Sequence, residues 1–446
     1  MTGCTDDTAG YQFANDPRPT RQAATPDVVV TQPPPPPAEQ AAAPRPFAEL
    51  VVARGAPDRI YFGAGAELWT VAASGSEPGR VFAPDSGESI VGVSPSPSGD
   101  QVAVLVASAD GGSSVLVIAP DGALIEVFDR IPPPPAAVVA PAASPAATPV
   151  PDATEFAAAT PVLAASPVIE PAQPTMSAGA TPLAGTSAPR SIDWSPQGDQ
   201  LLVGFEPGGL VALSLGGAGE VRPVLPVTEA RSPWGAAWSP TGEQVAFVAD
   251  GERGDRQVLY LAGAEPMDGG PRALVAVPSE RAIFAFSWLP DGRSLLFTEG
   301  DPSPARTTNA DLWQIDLDGE GRRLVASAGS AAPVADIDLF APSPDGRAVA
   351  YTVVVPGDLD AAFHSLWVRD LAAGRAYLVQ VSPGGDVSDL WWTSAGLVYR
   401  TDGDLDQGAP ATDSFELYRV GPDGASVPIL RATVGAATPA ATPVSE

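Results

Sequence analysis

Lysine is absent from this chain of 446 residues. All 24 basic residues are arginine, against 53 Asp and Glu, for a formal net charge of −29. So acidic a surface repels phosphate backbones, which excludes nucleic acid as a partner, and it disfavours adsorption to anionic lipid. Exclusive use of arginine reads as the codon bias of a GC-rich genome, with a saline habitat as the alternative. Cysteine occurs once, at Cys4. That excludes an intramolecular disulfide and any zinc site built on cysteines. Histidine also occurs once, at His364, so no multi-histidine metal centre can form and only one imidazole is available as base for a Ser/His/Asp set. The charge-free stretch from Ile131 to Pro151 is broken by proline every few residues and cannot form a membrane-spanning helix. Neither a Gly-x-Ser-x-Gly elbow, a Walker loop nor a dinucleotide fingerprint is present. No stretch sustains a 3.6-residue apolar period with caps, which argues against helical solenoids.

Glycine and proline are abundant instead, 45 and 52 residues, which favours short strands and tight turns. Six glycine-ended turns recur: Pro95-Ser96-Pro97-Ser98-Gly99, Trp194-Ser195-Pro196-Gln197-Gly198, Trp238-Ser239-Pro240-Thr241-Gly242, Trp288-Leu289-Pro290-Asp291-Gly292, Pro342-Ser343-Pro344-Asp345-Gly346 and Trp392-Thr393-Ser394-Ala395-Gly396. From Gly198 onward the glycines lie 44, 50, 54 and 50 residues apart. Proline presets φ for the first central position of the turn, and glycine supplies the left-handed residue that returns the chain as a hairpin. A strand-like run follows each turn, for example Val245 to Val248 or Val349 to Val353. A second run follows a variable loop, for example Leu312 to Leu317 or Leu366 to Leu371. A short outer strand comes last, as at Arg323-Leu324-Val325 or Tyr377-Leu378-Val379. Each unit therefore reads as a four-stranded antiparallel meander, with the tryptophan filling the gap to the next sheet. A further unit precedes these: Arg59 to Phe62 and Glu67 to Val71 match Leu397 to Arg400 and Glu416 to Val420, with Phe47 to Ala53 expected as its first strand.

Four-stranded repeats of this length predict an all-β fold, a β-propeller of about seven blades, with six or eight left open. The repeated (Trp)-Ser-Pro-Asp-Gly-x-x-(Leu/Val)-x-(Phe/Tyr), followed by Leu-Trp-x-x-Asp-Leu, resembles the TolB-type, WD-repeat-like propellers. Its best copies run from Trp288 to Leu317 and from Ser343 to Leu371. The motif residues of such proteins are scaffold, so the resemblance implies the fold and assigns no functional residue.

The expected organisation is a tether over 1–45, blades 1 and 2 over 46–131, a Pro/Ala-rich insertion over 132–189, blades 3 to 7 over 190–431, and a tail over 432–446. Tether, insertion and tail lack the apolar pattern needed to offset ordering entropy. The insertion reads as a solvated spacer between blades, with a glycosylated stalk or docking segment as alternatives. Thr2-Gly3-Cys4 resembles the end of a bacterial lipobox, which makes Cys4 the expected lipid attachment site of an extracytoplasmic lipoprotein; a secreted or cytoplasmic chain is the alternative.

Two features bear on chemistry. His364 lies in Ala361-Ala362-Phe363-His364, expected as a loop or strand-end position. Asp402, Asp404, Asp406 and Asp413 alternate as oxygen ligands of Ca²⁺ do, but Gln407 stands where such a loop needs glycine and no closing glutamate follows, so a solvated loop is expected. No catalytic set, metal or cofactor is expected. The function read from the sequence is a non-catalytic, monomeric, envelope-tethered scaffold that binds a protein, peptide or glycan. Two alternatives stay open: a glycan or ester hydrolase using carboxylates at the central channel, and a structural or sensory lipoprotein acting through its Pro-rich segments.

Overall fold

Seven antiparallel sheets follow one another along the chain, each a meander whose strands lie side by side in sequence order. Blade 1 is β1 (Arg59–Ala64), β2 (Glu67–Ala72) and β3 (Gly79–Phe82). Blade 2 is β4 (Glu88–Pro95), β5 (Val102–Ser108), β6 (Ser113–Ile118) and β7 (Leu124–Phe128). Blade 3 is β8 (Ala188–Trp194), β9 (Gln200–Glu206), β10 (Gly209–Ser214) and β11 (Val221–Leu225). Blade 4 is β12 (Trp234–Trp238), β13 (Gln244–Asp250), β14 (Gln257–Gly263) and β15 (Arg272–Ala276). Blade 5 is β16 (Ala282–Trp288), β17 (Ser294–Gly300), β18 (Asp311–Asp316) and β19 (Arg323–Ala326). Blade 6 is β20 (Asp336–Pro342), β21 (Ala348–Pro356), β22 (Ala362–Asp370) and β23 (Ala376–Pro383). Blade 7 is β24 (Asp386–Thr393), β25 (Gly396–Asp402), β26 (Ser414–Val420) and β27 (Ser426–Thr433). This computed structural model describes residues 57–131 and 188–433 with positions 47 and 50, apart from 65, 110–111, 130, 207, 217–219, 226–232, 252–256, 265–269, 303–308, 331–334, 357–361, 384–385 and 403–413. The described residues all fall in one compact unit, 35–446.

The ring closes because the apolar clusters sit between blades. Tyr61 and Val81 of blade 1 pack with Val104 of blade 2. Leu105 packs with Trp194 and Val203 of blade 3, and Leu202 with Phe247 of blade 4. Val248 packs with Phe297 of blade 5, Leu296 with Tyr351 of blade 6, and Val368 with Tyr399 of blade 7. Leu417 of blade 7 then packs with Ile60 and Phe62 of blade 1. A middle strand is covered on both faces, so it reads as a continuous apolar run: every residue of β17 is buried. Blade number is therefore seven, which resolves the alternatives of six and eight.

The repeated turns form as their chemistry requires. Gly99, Gly198, Gly242, Gly292 and Gly346 have φ between +65° and +77°, and each donates its N–H to the residue three earlier at 2.9 Å. The serine after the Trp or Pro has a further role. The buried Oγ of Ser96, Ser195, Ser239 and Ser343 accepts the N–H of Gln101, Gln200, Gln244 and Ala348 at 2.9–3.1 Å, closing the hairpin from inside. Tryptophan ties one blade to the one before it. The indole N–H of Trp194, Trp288 and Trp392 donates to the carbonyl of Ser94, Ala237 and Ala341 at 2.7, 3.2 and 2.9 Å.

Two expectations change. The run Phe47 to Ala53, expected as a first strand, is helical at its described residues Phe47 and Leu50, and among the described residues blade 1 has three strands. An i, i+3 apolar pair suits one face of a helical turn, and this one packs outward from blade 1. Leu50, 2% exposed, lies in the cluster shared by blades 6 and 7, and the Phe47 ring is 5.4 Å from that of Tyr377. The second change is His364, which lies inside β22 and not in a loop. Pairing of Pro356 with Ala362 starts that strand two residues earlier, and His364, 7% exposed, is the register partner of Val354. Blade 3 opens at Ala188 and blade 7 runs to Thr433, against an expected 190 and 431.

Candidate functional site

The first strands of blades 2 to 7 contact one another in succession, so they are the strands nearest the ring axis. Each carries an irregularity in its ladder with the second strand. Five share one position, four residues before the Trp or Pro that precedes the turn. There the ladder skips Val91, Arg190, Phe284, Asp338 with Leu339, and Ser388. In β12 it skips Gly235 and Ala236, with Gly235 at φ +60°. A bulge places two residues opposite one and turns the extra side chain out of the ladder. Val91 (36%) and Phe284 (40%) are accordingly exposed although both are apolar, and Arg190 and Asp338 are exposed as well. The exposed bulge residues on the axial strands are thus two apolar groups, one cation and one anion, while the Ser388 hydroxyl at the same position of blade 7 is buried.

That set can hold a mixed apolar and charged ligand. It contains neither a paired carboxylate nor a nucleophile beside a base. Carboxylates on the same strands are scattered over blades 2, 3, 6 and 7 as Glu88, Asp193, Asp336, Asp338, Asp386 and Asp389. Two are perturbed. Burial pushes Asp193 up to about 7, against the pull of the Trp238 and Trp194 N–H groups, and Trp238 N–H donates to it at 2.8 Å. Burial raises Asp389 to about 6, against the nearby Arg400, with Asp402 adding to the rise. Asp336 accepts the Ala310 N–H at 3.2 Å. These hydrogen bonds tie Asp193 and Asp336 to neighbouring backbone. Among the described residues no three His, Cys, Asp or Glu come together in a way that could hold a metal ion.

The residues singled out in the sequence do not converge. His364 belongs to the third strand of blade 6, away from the axial strands. Asp402 ends β25 and pairs with Arg400 Nε at 2.6 Å; Asp404, Asp406 and Asp413 lie outside the described residues, as does Cys4. The tether, the tail beyond Thr433 and the insertion up to residue 187 also lie outside them. Among the described residues no helix is long and apolar enough to cross a membrane. The bulge ring was missed because a bulge is a mismatch between two strands, and a single strand does not announce it. Its regular distance from the turn motif is the signal that could have located it.

Neither a protein-family model nor a curated protein matches the sequence. Solved structures do. An oligogalacturonate lyase from Vibrio parahaemolyticus is 11% identical over 83% of this chain and 84% of its own, with a TM-score of 0.51. A chain of the mitotic checkpoint complex is 12% identical over 86% of this chain and 98% of its own, with a TM-score of 0.50. A TolB from Agrobacterium tumefaciens is 20% identical over 56% of this chain and 83% of its own, with a TM-score of 0.38. At such identities the likeness establishes the β-propeller fold.

Proposed function

We propose that this chain is a non-catalytic, monomeric propeller that binds a protein or peptide on its axial strands, with a glycan as the alternative ligand. One observation carries the reading: Val91 and Phe284 are exposed at the bulge position of blades 2 and 5, and Arg190 and Asp338 are exposed at the same position of blades 3 and 6. Apolar groups and charges of both signs distributed over the axial strands suit a peptide, in which apolar contact supplies affinity and charge fixes register. One of the similar structures belongs to a multiprotein complex and another is a lyase, so the fold serves binding and catalysis alike. The same reading places the ring at an extracytoplasmic surface through lipid on Cys4, which mass spectrometry of the cell-derived protein tests.

Selection of a random peptide library on the full chain tests the binding site. Enriched peptides are expected to lose about tenfold or more in affinity with Phe284→Ala and with Arg190→Ala. No enrichment, or peptides indifferent to both substitutions, overturns the proposal. The hydrolase alternative rests on the perturbed Asp193 and Asp389. Turnover of a glycan or ester panel that vanishes in Asp193→Asn or Asp389→Asn would install it instead.

A further inference from the structure

A repeated arginine bolts the outer strand of one blade to the next blade. Arg222 of β11 donates Nη1 to the carbonyl of Ala264 at 2.8 Å, and Arg272 of β15 donates to the carbonyl of Leu317. Ala264 and Leu317 are equivalent. Each directly follows its blade's third strand and donates its own N–H to the residue after the turn glycine, Glu243 or Arg293, at 2.9 and 3.0 Å. The next members of the series are Arg323 and Leu371, whose N–H goes to Arg347 at 2.9 Å. Register agrees: Arg222, Arg272 and Arg323 stand opposite Ala212, Leu261 and Gln314.

Arg323 departs from the series. Its Nε and Nη2 both donate to Gln314 Oε1 of its own blade, at 3.1 and 2.6 Å. Between blades 5 and 6 this leaves a cavity of about 270 Å³ lined by Arg323, Leu324, Arg369, Leu371 and Gly374, among others. Arg369 accounts for the difference. Its position, two before the would-be acceptor, is Ala262 in blade 4 and Ile315 in blade 5, so blade 6 alone of the three puts a cation there. A second guanidinium is repelled from that spot. Arg369 forms no ion pair among the described residues. The adjacent Asp370 is turned away, its Oδ1 accepting the N–H groups of Ala372 and Ala373 at 2.8 Å. Among the described residues no carboxylate lines the cavity. In a protein of net charge −29, two guanidiniums thus share a cleft that no described acidic residue lines.

We propose that this cleft between blades 5 and 6 is a binding site for a small dicarboxylate. Two planar guanidinium forks each match one carboxylate in bidentate geometry, and the cavity is short enough to select a compact ligand. The site is separate from the axial bulges and does not depend on the function proposed for them. Calorimetric titration of the full chain with succinate at low salt tests it, with Arg323→Gln and Arg369→Leu as variants. Arg369→Leu restores the apolar residue of the neighbouring blades and frees Arg323 to reach Leu371, so its melting temperature is expected not to fall. Saturable succinate binding is expected in the parent chain, weakened about tenfold or more in each variant. Absence of saturable heat by ~10 mM succinate overturns the proposal. So does affinity in both variants equal to that of the parent chain, or binding of inorganic phosphate without succinate.

Discussion

The indole N–H of Trp194 donates to the carbonyl of Ser94, one hundred residues earlier, at 2.7 Å. This bond joins the axial strands of blades 2 and 3, the two blades between which the Pro/Ala-rich insertion leaves and re-enters the ring. Glu126 of blade 2 adds a second bond by accepting the Gly216 N–H of blade 3 at 3.1 Å, so packing and these two hydrogen bonds join the blades directly. Trp194→Phe keeps most of the packing and loses the donor, an expected cost of about 1–2 kcal/mol. Trp194→Ala also opens a cavity, at about 3–5 kcal/mol. Replacing residues 134–186 by about 20 Gly/Ser residues shifts stability by less than about 1 kcal/mol, since loop length enters only logarithmically. Urea midpoints of the three variants check the ranking.

The turn glycines separate backbone strain from crowding. Gly198 and Gly99 share φ +75°, but a Cβ at Gly198 meets open space while one at Gly99 falls 2.9 Å from Pro57 Cβ. Gly198→Ala is expected to cost about 1–2 kcal/mol from the left-handed backbone alone. Gly99→Ala adds the displacement of Pro57, about 1–3 kcal/mol more. Equal losses in the two variants would refute the steric part.

Asp193 makes stability depend on pH in an unusual direction for a carboxylate. Its pKa of about 7 in the folded ring exceeds the 3.8 of a free aspartate side chain, so between those pH values the native state holds a proton that the unfolded chain has released. Stability from this group therefore falls as pH rises from about 4 to 7 and is level above. The slope approaches about 1.4 kcal/mol per pH unit inside that window. Asp193→Asn, which can still accept the Trp238 N–H, is expected to lose this component and to gain on the parent chain toward pH 7. Urea midpoints of both proteins from pH 4.5 to 8 decide it; parallel profiles would remove the assignment.

Glu299 sits almost buried between two cations. Arg281 Nε lies 3.4 Å from one of its oxygens, Arg322 pairs with the other, and the Arg322 guanidinium stacks 4.2 Å over the Trp313 ring. Removing the carboxylate leaves two guanidiniums without their shared anion. Glu299→Ala is expected to cost about 3–5 kcal/mol, more than removal of an exposed partner such as Glu77, worth about 1 kcal/mol or less. Raising salt narrows the exposed pair's effect and leaves that of Glu299 largely intact.

What could be read from the sequence was whatever a single stretch of chain determines. The Ser-Pro-x-Gly turns, the tryptophan before them and the apolar runs after them are local, and each formed where its chemistry placed it. Blade 1 escaped because it carries no such turn and, among the described residues, shows no axial strand; Phe47 and Leu50 belong to a helical turn whose partners, Tyr377 and Tyr399 among them, lie hundreds of residues away. His364 escaped because its strand begins at Ala362, where propensity is weak and pairing with Pro356 decides. The bulges and the paired arginines depend on register between strands or blades. Arg369 differs from Ile315 and Ala262 only once three blades are superposed.

Every other pair of neighbouring blades is joined in sequence by the running chain, but blades 7 and 1 are not, and among the described residues no ladder crosses between them. Instead, the segment ahead of blade 1 reaches back beyond blade 7 and seats Leu50 in the core shared by blades 6 and 7. The polypeptide overlaps itself like a belt whose tongue is tucked under the last loop. Parting the first and last blades therefore means both opening the core that Leu417 shares with Ile60 and Phe62 and drawing Leu50 out of the core beyond it, so the circle is fastened twice.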